Sequence, residues 1–474
     1  MAQYYDVIIV GSGPAGIFAA LELLRAGRPL RILLLEKGHD LPRRLCPSKE
    51  YDVACQRCTP CSTLHGWGGA GAFSDGKLTL SPEVGGMLHE FVEPQVLQGL
   101  IDYVDKVYLH FGAPEEVYGL RQQAELEEIR RRAIAADLKL IPAPIRHLGT
   151  GRTRQVLQRM QEVLLQHGIE IRTDTPAAAV LATGGKVQGV VTAGGEELLA
   201  PWVIVAPGRE GSSWLAAEAA RLGLAMVVNP VDVGVRVEVP ATVTEHLTRV
   251  VYEAKFVFYS KTFDDKVRTF CMNPYGEVVK ENNNGLVTVN GHSYADKKTP
   301  NTNFALLVSK NFTEPFRDPI AYGKYVASLA NLLGGGVLVQ RLGDLMAGRR
   351  STWDRLEKGL VVPTLRDATP GDLSLVFPYR HLTSLLEMLQ ALDKVAPGVA
   401  SRHTLLYGVE VKFYSSRLEL KPSLETGVEN LFAAGDGAGI TRGLAQASAS
   451  GVLAARGVLS KMGVEETRVP AWLQ

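Results

Sequence analysis

The chain has 474 residues, 46% of them hydrophobic and 21% charged, and its 51 basic and 50 acidic side chains leave a net charge of +1. That balance excludes recognition of nucleic acid or of an acidic surface by bulk charge, and the apolar content excludes a disordered chain. The length calls for two or three lobes rather than one simple core.

Tyr5-Asp6-Val7-Ile8-Ile9-Val10 is an apolar, β-branched run and predicts a buried strand. Gly11-Ser12-Gly13-Pro14-Ala15-Gly16 follows at once. Helical spacing runs from Pro14 to Ala26, and Gly27 ends it. Arg31-Ile32-Leu33-Leu34-Leu35 predicts a second buried strand with Glu36 at its C-terminal end. This order is a dinucleotide-binding unit. Gly11 allows the tight turn, Gly13 admits a pyrophosphate, and Gly16 lets helix and strand pack closely. The helix N-terminus, opening at Pro14, offers free N–H groups from Ala15 onward and a positive dipole end to the phosphates. Glu36 and the adjoining Lys37 are expected at the adenosine ribose, with Glu36 accepting from its diol.

The strand begins within a few residues of Met1, which leaves no room for a signal peptide, and no apolar run reaches membrane-spanning length. The expectation is a cytoplasmic protein without a transmembrane segment. Lys37 to Leu80 is rich in Gly and Cys. Cys46, Cys55, Cys58 and Cys61 have the spacing C-x8-C-x2-C-x2-C. Three readings stand side by side. Four thiolates suit a tetrahedral zinc ion or an iron–sulfur cluster. Cys58 and Cys61 suit a redox dithiol, and the bland reading is loop cysteines without a role. Arg43 or Arg44 would offset pyrophosphate charge. Gly66-Trp67-Gly68-Gly69-Ala70-Gly71 would let backbone pass close to a bound ring.

Met87 to Arg132 reads as helical, and another helix runs from Gly149 to about His167. Ile169 to Arg172 predicts a third parallel strand, Ala177 to Leu199 a small β-meander, and Trp202 to Ala206 a further buried strand ending at Pro207-Gly208-Arg209. From Val231 to Val308 the pattern turns antiparallel, with turns at Asn273 to Gly276 and Asn282 to Gly285. Cys271, Asn273, His292 and Tyr294 are its polar candidates, with His292 suited to donate a proton near neutral pH. Helices are expected from Ile320 to Lys394, with Gly334-Gly335-Gly336 inside helical sequence. Asn430 to Ala434 predicts a strand that returns to the first domain. It ends in Gly435-Asp436-Gly437, and a small-residue helix follows from about Gly443 to Gly457. Asp436 is suited to a ribityl hydroxyl, and the helix start at Gly443 and Leu444 to a flavin pyrimidine ring. Arg442 beside it would face flavin O2 or the substrate.

The chain resembles the glutathione-reductase-type FAD-binding superfamily in Gly11-x-Gly13-x-x-Gly16, Glu36, Val203 to Gly208 and Phe432-Ala433-Ala434-Gly435-Asp436. More narrowly, it resembles a bacterial family of uncharacterised FAD-dependent dehydrogenases. That match rests on Gly68 to Lys77, Gln340 to Leu345, Leu406 to Glu410 and Gly435 to Leu444. The resemblance implies FAD and redox chemistry on a small-molecule substrate, and no one substrate. It implies an α/β fold: a Rossmann-type FAD-binding domain of discontinuous segments with an inserted lobe of antiparallel sheet and helices. The expected division is FAD-binding domain at 1–86 and 146–230, a helical insertion at 87–145, the substrate lobe at 231–400, and a return at 401–474. Expected cofactor contacts are Gly11, Gly13, Pro14, Ala15, Gly16, Glu36, Lys37, Arg44, Gly68, Gly69, Ala70, Ala206, Gly208, Gly435, Asp436, Gly443 and Leu444. Arg442, His292 and Cys271 are the catalytic candidates, expected around a pocket between the nucleotide domain and the lobe. A second strand-GxGxxG-helix unit is missing from the sequence, so NAD(P)H or an electron-transfer protein would visit as redox partner. The alternatives are an electron-transfer flavoprotein relaying electrons through the cysteines, and a reduced-flavin isomerase or cyclase.

Overall fold

The computed structural model describes residues 3–27, 29–51, 56, 58–74, 76–227, 229–283, 285–293, 298–310, 312, 318–412 and 417–464. In chain order, the elements that position the site begin with β1 (Val7–Val10), α1 (Pro14–Leu23), β2 (Ile32–Leu35) and α2 (Pro94–His110). Next come α3 (Thr150–Gln166), β3 (Glu170–Arg172), β4 (Trp202–Val205), β5 (Val231–Pro240) and β6 (Lys266–Asn273). Then follow β7 (Glu277–Asn283), β8 (Leu286–His292), β9 (Asn301–Lys310) and α4 (Pro319–Gly334). The last are β10 (Leu338–Arg341), α5 (Tyr379–Val395), β11 (Leu405–Lys412), β12 (Leu431–Ala433) and α6 (Leu444–Lys461).

The chain forms two compact units. The first comprises residues 1–116, 146–227 and 415–474, and the second residues 117–145 and 228–414. The first is built on a five-stranded sheet in the order β12-β4-β1-β2-β3, with every pair parallel. Val7 pairs with Ile32 on one side and Trp202 on the other, so the strands end level, at Val10, Leu35 and Val205. β1, β2 and β12 are buried along their whole length. That explains why they read as continuous apolar runs rather than alternating ones. Helix α1 starts with Pro14 at its first position, where the missing N–H costs nothing. The small residues of α6 let it lie close against α1: a Cβ on Gly451 would stand 2.0 Å from the Ala15 carbonyl oxygen. Glu22, fully buried on α1, joins three helices. It accepts from Arg456 of α6 at 2.8 Å and from Tyr103 of α2 at 2.7 Å, and pairs with Arg25 at 2.9 Å. The predicted meander is present as strands Ala177–Thr183, Lys186–Thr192 and Glu197–Leu199.

The second unit holds an eight-stranded sheet with β10-β11-β5-β9-β6 at its centre, antiparallel apart from a parallel edge strand at Thr369–Pro370. Alternation along β5 decides what each face meets. Val231, Val233, Val235, Val237 and Val239 join a core with residues of α4 and α5. Asp232, Arg236 and Glu238 line the opposite face. Arg236 is wholly buried there with all five N–H donors engaged. Its Nε and Nη2 donate to Glu410 at 2.8 and 2.7 Å, and Nη2 also to Asn290 at 3.0 Å. Its Nη1 donates to the Cys271 carbonyl at 2.7 Å and to Asn303 at 3.3 Å.

The structure departs from three expectations. The stretch from Ile320 to Lys394 is not wholly helical, because β10 runs between α4 and α5 and pairs with β11. Gly334-Gly335-Gly336 does not lie within a helix: Gly334 ends α4, and Gly335 takes a left-handed conformation at φ 67° as its cap. A short apolar run bounded by glycines carries no period that separates strand from helix. The helical stretch from Met87 to Arg132 is two helices, α2 and a second at Gln123–Ala135, and the latter falls in the second unit. Among the described residues no helix is long and apolar enough to cross a membrane.

Candidate functional site

Four loops of the first unit meet beyond the C-terminal ends of the parallel strands. Gly11 is at φ 103° as the chain leaves β1, and a Cβ there would stand 2.2 Å from the Ala206 carbonyl oxygen at the end of β4. A Cβ on Gly16 would stand 1.8 Å from the Gly11 carbonyl oxygen. Both glycines are required by the protein's own packing. Gly13 differs. Its φ of −71° is ordinary, and a Cβ there would meet nothing within 4 Å. Gly208 likewise has open space where a side chain would begin. The third loop returns to the first: Gly68 N donates to the Ser12 carbonyl at 2.9 Å, and a Cβ on Gly69 would come within 3.0 Å of Gly13 Cα. The fourth, Gly435 to Leu444, packs on all three others. A Cβ on Gly437 would stand 2.4 Å from the Gly208 carbonyl oxygen, and one on Gly71 would stand 3.0 Å from a Leu444 methyl. Ala15 lies 3.0 Å from the Cβ position of Gly435. So Gly11 to Gly16, Gly68 to Ala70, Ala206 to Gly208 and Gly435 to Leu444 converge, although they are far apart in sequence.

Glu36 stands at the end of β2 and is buried. Its Oε2 accepts from Ser12 N at 3.0 Å and Ser12 Oγ at 2.8 Å, and its Oε1 from Gly38 N at 2.8 Å and Gly66 N at 2.9 Å. A carboxylate offers about four acceptor positions, so Glu36 already ties the first and third loops together. A ribose hydroxyl would enter by sharing or displacing one of these donors. The Ser12 hydroxyl's part in this was not foreseen. A polar residue inside a glycine motif is the only signal the sequence holds for it.

The structure separates Arg43 from Arg44. Arg43 is exposed and pairs with Asp174. Arg44 is fully buried, donates to the carbonyls of Ser62 and Trp67, and lies over the Phe73 ring at 4.9 Å. Its Nη2 has no hydrogen-bond partner among the described residues. Burial, joined by the like charge of Arg154 and opposed by the Glu36 carboxylate, pushes the guanidinium down to about 10. A buried guanidinium with a spare donor is chemistry suited to an anion. Lys37 is exposed. Asp436 accepts from Thr441 Oγ1 at 2.7 Å and faces Arg209 Nε at 3.6 Å. Burial pushes its carboxyl up, against the opposing pull of Arg209, Thr441 and Arg442. The open positions at Gly13 and Gly208, the spare arm of Arg44 and the acid at Asp436 fit a dinucleotide with a pyrophosphate and a polyol chain.

Cys46, Cys58 and Cys61 are free thiols, Cys58 exposed and the others half-buried, with Cys61 Sγ 3.1 Å from Thr63 Oγ1. Among the described residues no group of three or more His, Cys, Asp and Glu side chains is gathered for a metal ion. Cys55 lies outside the described residues, as do Asp75 and Tyr294. Arg442 belongs to the first unit, and Cys271 and His292 to the second. Cys271 is half-buried in a bulged part of β6, at a φ of 46° that side chains rarely adopt. Its neighbour Asn273 reaches Sγ at 3.7 Å. Strand β8, which carries His292, runs past the same cluster: a Cβ on Gly291 would stand 2.0 Å from Asn303 Oδ1 and 2.5 Å from Asn273 Nδ2.

Family models agree with this geometry. Residues 6–41 match an FAD binding domain, and residues 230–413 match the FAD-dependent protein, C-terminal domain-like family. Residues 365–466 match glucose inhibited division protein A. The chain is an FAD-dependent protein. The flavoprotein is 27% identical to an uncharacterized protein of Clostridium beijerinckii, over 96% of this chain and 80% of that one. Among solved structures it is similar to the formate oxidase of Aspergillus oryzae RIB40, at 12% identity and a TM-score of 0.45 over 98% of this chain and 99% of that one. It is also similar to the L-proline dehydrogenase of P. horikoshii, at 10% identity and a TM-score of 0.40 over 100% and 97%.

Proposed function

We propose that the flavoprotein is an oxidoreductase that moves a hydride between an organic small molecule and flavin N5, with NAD(P)H or an electron-transfer protein as redox partner. The observation that carries this reading is the convergence of four loops on the open sides of Gly13 and Gly208, at the end of a single parallel sheet. When bound, FAD supplies reversible two-electron chemistry at N5. The protein's own residues bind and orient. Gly11, Gly13, Pro14, Ala15 and Gly16 present α1's N-terminus to the pyrophosphate, and Arg44 adds positive charge. Glu36 and Lys37 serve the adenosine ribose. Gly68, Gly69 and Ala70 run alongside the cofactor, with Ala206 and Gly208 opposite. Gly435 and Asp436 serve the ribityl chain, and Gly443 and Leu444 offer backbone N–H groups to the pyrimidine ring. Arg442 faces flavin O2 or the substrate, His292 carries a proton, and Cys271 stands in its bulge as the third candidate for chemistry.

Anaerobic titration of the purified flavoprotein tests this. Amino acids, 2-hydroxy acids, NADH and NADPH are added separately and the flavin bands are followed. The expected result is bleaching by at least one donor class, reversed by an acceptor dye. Turnover that requires prior reduction of the flavin and leaves its redox state unchanged would contradict the oxidoreductase reading.

A further inference from the structure

Arg209 follows Gly208 at the end of β4, and nothing in the sequence marks it as part of the site. Its side chain is 65% exposed, and its Nε stands 3.6 Å from Asp436 Oδ2. Thr441 Oγ1 takes the other oxygen at 2.7 Å. The loops that carry the pair are locked together, since the Gly437 backbone lies against the Gly208 carbonyl. The groups that act on the Asp436 carboxyl are Arg209, then Thr441, then Arg442, all against a burial that favours the neutral acid. A carboxylate accepts hydrogen bonds at both oxygens, whereas the neutral acid turns one of them into a donor. The group that stabilises the anion therefore decides what a polyol chain meets there.

We propose that Arg209 is a cofactor-positioning residue, which orients the Asp436 carboxylate and preserves it as the hydrogen-bond acceptor for the flavin's ribityl chain. This rests on the reading of Asp436 as the ribityl acid. Arg209 acts through Asp436, so its loss changes cofactor affinity and the pH dependence of that affinity together. The sign follows from the charge. Without the guanidinium the carboxyl protonates at higher pH, and FAD is lost earlier on acidification.

The test uses the holoprotein and the variants Arg209→Gln, Arg209→Lys and Asp436→Asn. FAD dissociation is read from released flavin fluorescence on dilution, between pH 5 and pH 8. Arg209→Gln is expected to weaken FAD about 10-fold at pH 7 and to move the acid limb of FAD retention up by about one pH unit. Arg209→Lys, which keeps the charge, is expected to restore affinity to within about 3-fold. An Arg209→Gln protein with wild-type affinity and an unmoved acid limb overturns the proposal. So does one in which Arg209→Lys is as weak as Arg209→Gln. Asp436→Asn separates the two readings: wild-type affinity there overturns the ribityl assignment itself. Loss of affinity in Asp436→Asn without loss in Arg209→Gln overturns the role of Arg209 alone.

Discussion

Gly13→Val is expected to abolish flavin content while leaving the fold intact. The protein itself has no objection to a side chain at this position: the backbone is at φ −71° and ψ −178°, which valine adopts freely, and a Cβ meets nothing within 4 Å. Extended backbone is also what the following Pro14 demands. The side chain would enter the open space at the start of α1, where the proposed pyrophosphate site lies. Purified variant should carry less than about a tenth of the wild-type flavin, a loss in binding of more than about 1.4 kcal/mol. Its unfolding midpoint should match that of flavin-free wild type, the proper reference because bound cofactor stabilises the folded state. Wild-type flavin occupancy in the variant would contradict the assignment.

Gly16→Ala, three residues on in the same motif, is expected to fail in the opposite manner. Its added Cβ would stand 1.8 Å from the Gly11 carbonyl oxygen, a backbone atom that cannot swing aside. Relief requires α1 to move off β1, yet α1 is held on its far side by α6 through Gly451 and by the buried Glu22 network. Overpacking in cores costs about 1–3 kcal/mol when side chains can adjust, and here none can, so a loss of at least about 3 kcal/mol is expected. Urea denaturation of the variant with excess FAD measures it. A midpoint equal to wild type would contradict so close an approach of helix and strand. Two glycines three residues apart thus report on different things, one on the ligand and one on the fold.

The parallel sheet was legible because its signals are local. Val7 to Val10, Ile32 to Leu35 and Leu431 to Ala433 are buried on both faces, and each announces itself within a few residues. The glycine motif and the late Gly435-Asp436 were legible for the same reason. What escaped depends on distance. Arg236 and Glu410 lie 174 residues apart, and neither neighbourhood hints at the pair. The two-residue strand Lys139–Leu140 joins the large sheet beside Phe256–Tyr259, too short to show any period. Arg43 and Arg44 are identical in chemistry and adjacent in sequence, yet one is exposed against Asp174 and the other fully buried with a spare donor. Burial alone separates them, and burial belongs to the fold. Arg209 and Thr441 matter only because β4 and β12 are neighbours.

The identity of the copurified nucleotide tests the account most directly. Protein is purified without added cofactor, heat-denatured, and the released flavin is separated by chromatography and counted against protein. FAD at about one per chain is the expected result, because the proposed roles of Glu36 and Arg44 at an adenosine diphosphate half and of Asp436 at a flavin half require both halves of the nucleotide. FMN, or no flavin in protein that is folded and able to take up none, would contradict it.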